Sequence, residues 1–574
     1  MQDAMNWLAR DPDPRTREEL QHLIDEGMHD ELEDRFTQRL EFGTAGLRGK
    51  VGCGPNRMNR LVIQETATGL GHYLIEHVAN ASIRGVVVGY DGRLDSKQFA
   101  IDTASVLTAL GIKVYLTSDV AATPIVAFGI EHFNAAAAVV VTASHNPPEY
   151  NGFKVYWENG AQIIPPHDAG IAAEIDIAST KPIPLMSLSD AETQGKLVWL
   201  TEGYYQTYRA AINQSPYVNN ALESANTTIT YTAMHGVGAK MAEDLLHDAG
   251  FHKVFSVAEQ REPDGNFPTV NFPNPEEKGA MDLVVNLAKS VDADIACAND
   301  PDADRFAVAV RTDNTARTDD ASYKMLTGDQ VGVLFAHYLL SKPHTKNQLV
   351  GNSIVSSTLL EKVAQSHGAT YFQTLTGFKW LANIGMQLED EQNEFLFAYE
   401  EALGYTIGTQ VRDKDGLSAI VVFAQLVEEL KSQGRTVWDL LAQISFEHGV
   451  HTNVQRSIAL DPDSPSIGSK LRAAQPKAIN GVAISVIEDL QSSLRFVIGG
   501  NTEAINLPSS DVLIYHLEDG TRIIVRPSGT EPKVKVYYET VTKFEGTETY
   551  EDTRLRGEED MSKLIEQHQQ ELNA

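Results

Sequence analysis

The sequence has few cysteines and no long hydrophobic run. Only two of its 574 residues are cysteines, Cys53 and Cys297, and neither has a neighbouring Cys or His at metal-ligand spacing. A zinc site built on cysteine is therefore not expected, and both residues are predicted to be reduced thiols without a catalytic role. No apolar run is long enough to cross a bilayer, and the N-terminal segment lacks a basic head followed by an apolar stretch. We therefore expect a cytoplasmic protein with no membrane partner.

Basic residues are also scarce. Lys and Arg number 47 against 78 Asp and Glu, which gives a formal net charge of -31 at pH 7. This excess argues against nucleic acid or an anionic membrane as a partner, since both attract cationic surfaces. A phosphate-bearing substrate would need a local basic cleft, so each loop that could bind one should carry Lys or Arg.

Strand and helix patterns alternate along most of the chain, which is too long for a single hydrophobic core. The patterns run as strand 84–90, helix 95–111, strand 112–117, helix 123–133 and strand 135–142, and the alternation returns at 227–250, 293–300 and 347–368. Such an alternation predicts βαβ units, mostly parallel sheets and at least three α/β blocks.

The two ends of the chain differ from its middle. Residues 16–40 carry apolar side chains near helical spacing, and Thr16 with Glu19 fits a capping box, which predicts one N-terminal helix. In the last part of the chain strand patterns dominate, and Asp519 with Gly520 marks a hairpin turn. We expect a smaller sheet-and-helix domain there.

The segment VVVTASHNPPEYNGFKVYW places Ser144 directly after a continuous apolar strand. Pro147 and Pro148 stiffen the following loop, and Lys154 comes after it. Ligands of open α/β sheets bind at the carboxyl ends of strands, so a serine there could carry a phosphoryl group. The alternative is a turn serine that caps a helix, and spacing alone does not separate the two.

The segment IACANDPDADRFAVAV places Asp300, Asp302 and Asp304 after a buried strand, with Arg305 next. Such close carboxylates need a cation, and oxygen ligands favour Mg²⁺, Mn²⁺ or Ca²⁺ over zinc. An EF-hand is excluded because Arg305 replaces Gly at the sixth position and Arg311 replaces Glu at the twelfth. A solvated acidic turn is the other alternative, but apolar strands flank the cluster, so metal binding is favoured.

The segment IIVRPSGTEPKVKVY combines cations, hydroxyls and a glycine in one loop, at Arg526, Ser528, Gly529, Thr530 and Lys533. Glycine lets the backbone approach a ligand, hydroxyls and N–H groups donate, and arginine offers a bidentate charge. An ordinary hairpin turn is the alternative. Because the loop supplies the cations that an acidic protein needs locally, it is predicted to clamp a phosphate.

Three further segments are ambiguous on their own: GTAGLRGK with Arg48, LTGFKW with Gly377 and Lys379, and FAYEEALGY with Glu400 and Glu401, which VRDKDG with Lys414 follows. Adjacent glutamates usually form a solvated face. These two follow an apolar strand, where their carboxylates could accept hydrogen bonds from sugar hydroxyls. GTAGLRG lacks the order of a dinucleotide-binding fingerprint.

Taken in order, GTAGLRG, TASHNPPEYNGFK, DPDADR, GFKW, EEALG and RPSGTEP resemble the α-D-phosphohexomutase superfamily, the phosphoglucomutases and phosphomannomutases. The N-terminal extension is most similar to the phosphoglucomutase-2-like and phosphopentomutase branch. The resemblance implies an α/β fold with three similar mixed α/β domains and a smaller C-terminal α+β domain around a central cleft. The expected domains are 1–210 with the phosphoserine loop, 211–325 with the metal loop, 326–454 with the sugar-recognition loop and 455–574 with the phosphate-binding loop.

The resemblance also implies roles for single residues. Ser144 would be the phosphoserine and, with Asp300, Asp302 and Asp304, a ligand of one Mg²⁺ per chain. The implied substrate contacts are Arg48, Gly377, Lys379, Glu400, Ala402, Arg526, Ser528, Gly529, Thr530 and Lys533. Ala402 stands where many relatives have Ser, so one sugar contact is missing and the choice among glucose, mannose and pentose stays open.

The expected reaction interconverts hexose 1-phosphate and hexose 6-phosphate, with glucose preferred, through the phosphoserine and a bisphosphate. Glucose 1,6-bisphosphate or a similar compound would act as activator; phosphomannomutase and phosphopentomutase are the alternatives. Lys154 and Lys414 are candidate bases, because a lysine crowded by cations and partly desolvated can lose its proton near neutral pH. Arg305 would offset charge on the transferring group. His145 would orient the loop.

Three other classes of function compete with this prediction. A serine hydrolase would use the adjacent Ser144 and His145, but the glycines of a nucleophile elbow are absent. A phosphatase would share the metal and the phosphate clamp and release free phosphate. A non-catalytic module would only bind a sugar phosphate. The expected partner is the small-molecule sugar phosphate, and the expected state is a monomer or a dimer.

Overall fold

A computed structural model of the chain describes residues 2–43, 46–219, 224–312, 322–459, 467–527 and 533–573. The chain forms two units. The first comprises residues 1–328, 378–387 and 395–434, and the second comprises 329–377, 388–394 and 435–574. Within the described ranges every helix is too short or too polar to span a bilayer.

The N-terminal region contains α1 (Gln2–Arg10), α2 (Pro14–Asp25) and α3 (His29–Phe36). The single N-terminal helix predicted from the sequence is therefore wrong in both its start and its continuity. Asp13 caps α2 with its side chain, and Pro14 occupies the first helical position. The Thr16 hydroxyl does not cap the helix, because it donates to the Asp11 carboxylate at 2.7 Å. Gly27, with φ +64°, separates α2 from α3.

The first sheet has a parallel core and an antiparallel edge. Its region contains β1 (Leu47–Lys50), α4 (Arg60–His77), α5 (Ala81–Arg84), β2 (Val86–Tyr90), α6 (Ser96–Ala109), β3 (Val114–Thr117), α7 (Thr123–Phe133), β4 (Ala137–Val141), β5 (Tyr150–Trp157), α8 (His167–Ser179), α9 (Leu188–Thr193) and β6 (Leu197–Leu200). The strand order is β1-β5-β4-β2-β3-β6, with β5 antiparallel to β4 and β1. Strands β2 and β4 are buried along their whole length, as expected for a parallel sheet covered on both faces. The predicted alternation of this block is confirmed.

The second sheet repeats this core topology. After α10 (Glu202–Asn213) come β7 (Ile229–Thr232), α11 (Ala239–Asp248), β8 (Val254–Ser256), α12 (Ala258–Arg261), α13 (Asp282–Val291), β9 (Ile295–Ala298), β10 (Ala307–Arg311) and β11 (Tyr323–Met325). The order is β11-β10-β9-β7-β8, with β7 parallel to β8 and β9 and with β10 antiparallel to β9. The pair β9–β10 thus corresponds to β4–β5. The turns that carry Asp300 and Ser144 therefore occupy equivalent positions in the two sheets.

The third α/β region contains α14 (Gly328–Leu340), β12 (Asn347–Ser353), α15 (Leu359–Ser366), β13 (Thr370–Thr374), α16 (Phe378–Leu388), β14 (Asn393–Glu400), β15 (Gly404–Ile407), α17 (Gly416–Ser432) and α18 (Val437–His448). In the second unit β12 and β13 pair in parallel. In the first unit β14 and β15 form an antiparallel pair, and the turn between them carries Glu401 and Ala402. Asp415 caps α17 with its carboxylate, which fixes the backbone directly after Lys414.

The C-terminal region is an antiparallel sheet with helices. It contains β16 (Val450–Ala459), α19 (Ile467–Ala473), β17 (Ala478–Ile479), β18 (Val482–Asp489), β19 (Leu494–Val497), β20 (Thr502–Ala504), β21 (Leu513–Leu517), β22 (Arg522–Pro527), β23 (Lys533–Thr542) and α20 (Tyr550–Asn573). The order is β16-β23-β22-β21-β18-β19-β20, and β17 pairs with β18. The predicted hairpin between β21 and β22 is confirmed, with Gly520 at φ +88°. The fold class expected from the sequence is thereby confirmed, whereas the exact domain boundaries remain predictions.

Candidate active site

Ser144 lies in the turn between β4 and β5 and is 3% exposed. Its hydroxyl donates to Asp300 Oδ2 at 2.8 Å, and its Oγ lies 3.2 Å from Nδ1 of His145. Its φ is +51°, a left-handed conformation that costs a non-glycine residue about 1–3 kcal/mol and is concentrated at functional sites. No helix follows the serine before β5 begins, so the alternative of a helix-capping serine is wrong.

The three aspartates lie in the turn between β9 and β10 and are buried. Asp300, Asp302 and Asp304 each offer a carboxylate oxygen within 4.8 Å of the others. Among the described residues, Oδ1 of Asp302 and Oδ1 of Asp304 are buried without a hydrogen-bond partner. Buried polar atoms rarely lack a partner, and an all-carboxylate set suits a hard divalent cation. The residues therefore fit a metal such as Mg²⁺.

Two lysines face this cluster. Lys154 lies on β5, and its Nζ is 2.6 Å from Asp302 Oδ2 and 2.8 Å from Asp304 Oδ2. Lys414 precedes α17, and its Nζ is 3.2 Å from Asp304 Oδ2 and 3.4 Å from Asp413 Oδ1. Residues from three separate sequence segments thus meet at one point in the first unit.

The carboxylates keep both lysines charged. Burial disfavours the charge on Lys154, but Asp302 and Asp304 outweigh burial and raise its pKa. The pKa of Lys414 is likewise raised, because Asp304 and Asp413 outweigh burial. The expectation that cations around these lysines lower their pKa is wrong for this arrangement, since their nearest neighbours are carboxylates.

The aspartates share their charge unequally. Burial, together with the neighbouring carboxylates of Asp302 and Asp304, raises the pKa of Asp300 well above its usual range. Burial also opposes the charge on Asp302, but the nearby Lys154 ammonium lowers its pKa. A metal ion that binds to this cluster would therefore displace a proton from Asp300.

Arg305 and His145 flank the cluster. The backbone N–H of Arg305 donates to Asp300 Oδ1 at 3.0 Å, and its half-buried guanidinium lies 3.6 Å from Glu276. Burial opposes the charge on Arg305, but Asp300 and Asp304 raise its pKa. Burial, followed by the positive charge of Arg305, lowers the pKa of His145 well below its usual range, so its imidazole is neutral near pH 7.

Arg48 and Glu400 come from two other strands of the first unit. Arg48, on β1, is exposed and donates to Asn146 Oδ1 of the serine loop at 3.2 Å. Glu400 ends β14 and is half-buried, and its carboxylate is close enough to help raise the pKa of Lys414. Ala402 follows in the β14–β15 turn.

Lys379 lies in the first turn of α16 and is half-buried. Burial lowers its pKa to about 8, against the opposing effect of the Asp168 and Glu400 carboxylates. Its Nζ lies 5.7 Å from the ring centre of Trp380. Lys379 is therefore a cation whose charge changes within the accessible pH range.

The other predicted contacts belong to the second unit. Gly377, with φ +108°, directly precedes α16, and Arg526 is a half-buried residue near the end of β22. Lys533 begins β23. Ser528, Gly529 and Thr530 lie outside the described residues, so the phosphate clamp remains a prediction.

Thr123 is a site residue that sequence reasoning missed. Its hydroxyl donates to Asp302 Oδ2 at 2.6 Å, and its backbone N–H donates to the Asp302 carbonyl at 2.9 Å. Thr123 begins α7, after a buried parallel strand. Its position at the carboxyl end of a strand was the one available signal.

A serine hydroxyl held against a buried carboxylate cluster, on a repeated α/β fold, is an arrangement that suits a phosphoryl-transfer enzyme. The models of phosphoglucomutase/phosphomannomutase α/β/α domains I, II and III match residues 39–181, 205–313 and 327–445, and the model of the C-terminal domain matches 471–556. The chain belongs to the phosphoglucomutase/phosphomannomutase family, within the α-D-phosphohexomutase superfamily, and is an isomerase that acts as an intramolecular phosphotransferase.

Curated relatives share most of the chain. It is 40% identical to a protein of Haemophilus influenzae named probable phosphomannomutase, over 84% of this chain and 92% of that one. It is 36% identical to one of Schizosaccharomyces pombe named probable phosphoribomutase, over 92% of each chain. It is 35% identical to the phosphopentomutase of Homo sapiens, over 94% of this chain and 91% of that one.

A solved structure supports the fold alone. Parafusin, a phosphoglucomutase of Paramecium in its open form, has a TM-score of 0.67 at 18% identity, over 92% of this chain and 95% of that one.

Proposed function

We propose that the protein interconverts the 1-phosphate and the 6-phosphate of a hexose, with glucose preferred, through phosphorylated Ser144 and a hexose bisphosphate. The observation that carries this proposal is the 2.8 Å contact between the Ser144 hydroxyl and Asp300, within the buried cluster of aspartates and lysines. A phosphoryl carrier needs positive charge nearby, and this cluster is where the chain can concentrate it.

The proposed transfer uses the residues of the first unit. The phosphoryl group leaves Ser144 Oγ for the free hydroxyl of the sugar phosphate, so the Oγ–P bond breaks as a sugar O–P bond forms. The bisphosphate then turns around and returns its other phosphoryl group to Oγ. Asp300, Asp302 and Asp304 would hold one Mg²⁺, which when bound supplies positive charge beside the phosphoserine. Arg305 offsets charge on the transferring group.

The hydroxyl that receives the phosphoryl group must lose a proton. Lys154 and Lys414 remain our candidates for the base. Because the aspartates raise the pKa of both lysines, each must lose its ammonium proton before it can accept one from the sugar hydroxyl. Neutral His145, 3.2 Å from Ser144 Oγ, orients the serine. Closure around the substrate would exclude water, which would otherwise hydrolyse the phosphoserine.

The remaining residues recognise the substrate. Glu400 and the turn at Ala402 recognise the sugar hydroxyls in this proposal, which also assigns substrate contacts to Arg48, Gly377 and Lys379. Arg526, Ser528, Gly529, Thr530 and Lys533 form the clamp on the phosphate that is not reacting. Since the bisphosphate must turn around, both ends of the sugar use the same contacts in turn.

The pH dependence of kcat/KM should follow the ionisation of the Lys379 ammonium. Its pKa of about 8 means that its ammonium loses a proton as the pH rises through that value, so kcat/KM for glucose 1-phosphate should fall above about pH 8. Lys379→Arg should move this basic limb of the pH profile, the fall in kcat/KM, above about pH 10, because a guanidinium stays charged there. Steady-state kinetics between pH 6 and 10 measure the limb, and Lys240→Arg at an exposed lysine should leave it unchanged. A limb that persists in Lys379→Arg assigns it to another group.

Pentose phosphate is the second candidate substrate. The family description names hexose mutases, which supports a hexose. Relatives named phosphoribomutase and phosphopentomutase, together with the methyl group of Ala402 in the sugar-recognition turn, favour a pentose. A smaller sugar with fewer hydroxyls needs fewer donors from this turn.

A coupled assay separates these candidates. It compares the 1-phosphates of glucose, mannose, ribose and deoxyribose with Mg²⁺ and a trace of glucose 1,6-bisphosphate, the proposed activator. We expect the highest kcat/KM for glucose 1-phosphate; a higher value for ribose or deoxyribose 1-phosphate would assign a pentose instead. Free phosphate equal to the substrate consumed would identify a phosphatase. Ala402→Ser should raise the glucose-to-ribose ratio, and an unchanged ratio removes Ala402 from sugar recognition.

A further inference from the structure

Arg93 lies behind the serine loop, between β2 and α6, and is 4% exposed. One terminal nitrogen of its guanidinium donates to the carbonyls of Ser144 at 2.7 Å and Asn146 at 2.6 Å. The other donates to the carbonyls of Pro147 at 2.9 Å and Tyr150 at 3.0 Å. A buried cation thus binds the backbone of the serine loop along its whole course.

Asp91 holds the same loop through the Thr142 hydroxyl. Its Oδ2 accepts from the Thr142 hydroxyl at 2.6 Å, and the Thr142 oxygen accepts the backbone N–H of Ser144 at 2.8 Å. Its Oδ1 accepts from the Ser96 hydroxyl at 2.6 Å, and its Oδ2 lies 3.2 Å from Arg93 Nε. The N–H and the C=O of Ser144 are therefore both tied to one buried ion pair.

A loop that follows α12 shields this arginine from water. The ring centre of Phe267 lies 5.1 Å from the Arg93 guanidinium carbon, and Phe267 is buried. Gly265 approaches so closely that a Cβ there would lie 2.7 Å from the backbone nitrogen of Leu94. Water is thereby kept from competing for the guanidinium, which strengthens its hydrogen bonds to the loop.

We propose that Arg93, held by Asp91, is the positioning residue that keeps Ser144 in its left-handed conformation with the hydroxyl on Asp300. A residue other than glycine stays at positive φ only when its surroundings over-determine it, and these four carbonyl contacts do so. The planar fork of arginine can serve two pairs of carbonyls, which the single ammonium of lysine cannot. The inference rests on the proposed role of Ser144 as the phosphoryl carrier.

Arg93→Lys tests the proposal because it keeps the charge and removes the fork. We expect kcat for glucose 1-phosphate to fall about 100-fold, as for other small misplacements of a reacting group, with KM nearly unchanged. Free phosphate released per turnover should rise, because a poorly placed phosphoserine loses its phosphoryl group to water. Arg60→Lys, which weakens a bidentate pair with Asp102 in the same region, is the matched control for thermal stability.

A second pair of variants keeps the test decisive if Arg93→Lys does not fold. Thr142→Val removes the hydroxyl that links Asp91 to the Ser144 N–H, so kcat should again fall with KM nearly unchanged, and Thr142→Ser should recover most of the loss. Wild-type kcat in Arg93→Lys or Thr142→Val overturns the proposal. The proposal is also overturned if Arg93→Lys loses no more kcat than Arg60→Lys does at a comparable loss of thermal stability. If intact mass shows that the wild-type protein carries no phosphate on Ser144, the proposed function is overturned and this inference with it. If the wild-type protein is phosphorylated but the variants keep wild-type kcat, the inference alone is overturned.

Discussion

Replacing Ser144 with Ala should abolish mutase turnover while leaving the protein folded and able to bind glucose 1-phosphate. The hydroxyl at this position is the proposed carrier, and it lies 2.8 Å from Asp300 inside the buried cluster. We expect kcat to fall at least about 10⁴-fold, since removal of a catalytic nucleophile can cost roughly 10⁶ in kcat. The coupled assay measures turnover, and calorimetric titration measures binding of glucose 1-phosphate.

Intact mass spectrometry completes this test. Wild-type protein should carry one phosphoryl group that is lost in Ser144→Ala and kept in Ser179→Ala, a control in which the replaced hydroxyl donates to the Asp176 carbonyl at a helix end. A Ser144→Ala protein with wild-type turnover would refute the carrier. Wild-type protein that binds substrate but never carries phosphate would instead indicate a binding module.

Replacing Asp302 with Asn should remove the response of the enzyme to Mg²⁺. The change keeps the shape of the side chain but takes one charge from the carboxylate trio and leaves the Lys154 ammonium less well paired. We expect the Mg²⁺ affinity to fall more than about 100-fold, because even residues behind a metal's ligands cost 10–100-fold when changed. We expect kcat to fall about 10²–10³-fold, the usual cost of losing one preorganised electrostatic contact.

Titration of activity and of binding heat with Mg²⁺ measures both effects. Mg²⁺ should bind wild-type protein more tightly as the pH rises, because the raised pKa of Asp300 makes a proton compete with the metal. Asp244→Asn, at a partly exposed residue that pairs with Arg209, is the control and should leave the Mg²⁺ response unchanged. An Mg²⁺ titration of Asp302→Asn that overlays wild type would exclude the trio as the metal site.

The short-range features of the fold could be predicted from the sequence. The buried strands before Ser144 and Asp300 were recognisable because apolar runs of that length, bounded by turn residues, form strands locally. The placement of both residues at strand ends followed directly, and both are where the sequence predicted. The N-terminal helix was predicted wrongly because Asp13 with Pro14 is a stronger start signal than the Thr16–Glu19 pair.

The sequence by itself determined the elements, the fold class and the residue types of the site, because propensity, periodicity and turn chemistry act over a few neighbouring residues. Only the tertiary structure decided which side chains meet. Lys154 contacts Asp302 across 148 positions, and Arg93 contacts the Ser144 carbonyl across 51. It also decided the sign of the lysine pKa shifts, since the carboxylates nearest to Lys154 and Lys414 outweigh both burial and the neighbouring cations. Contacts and electrostatic fields depend on distance in space, and distance in space is set by packing and not by order along the chain.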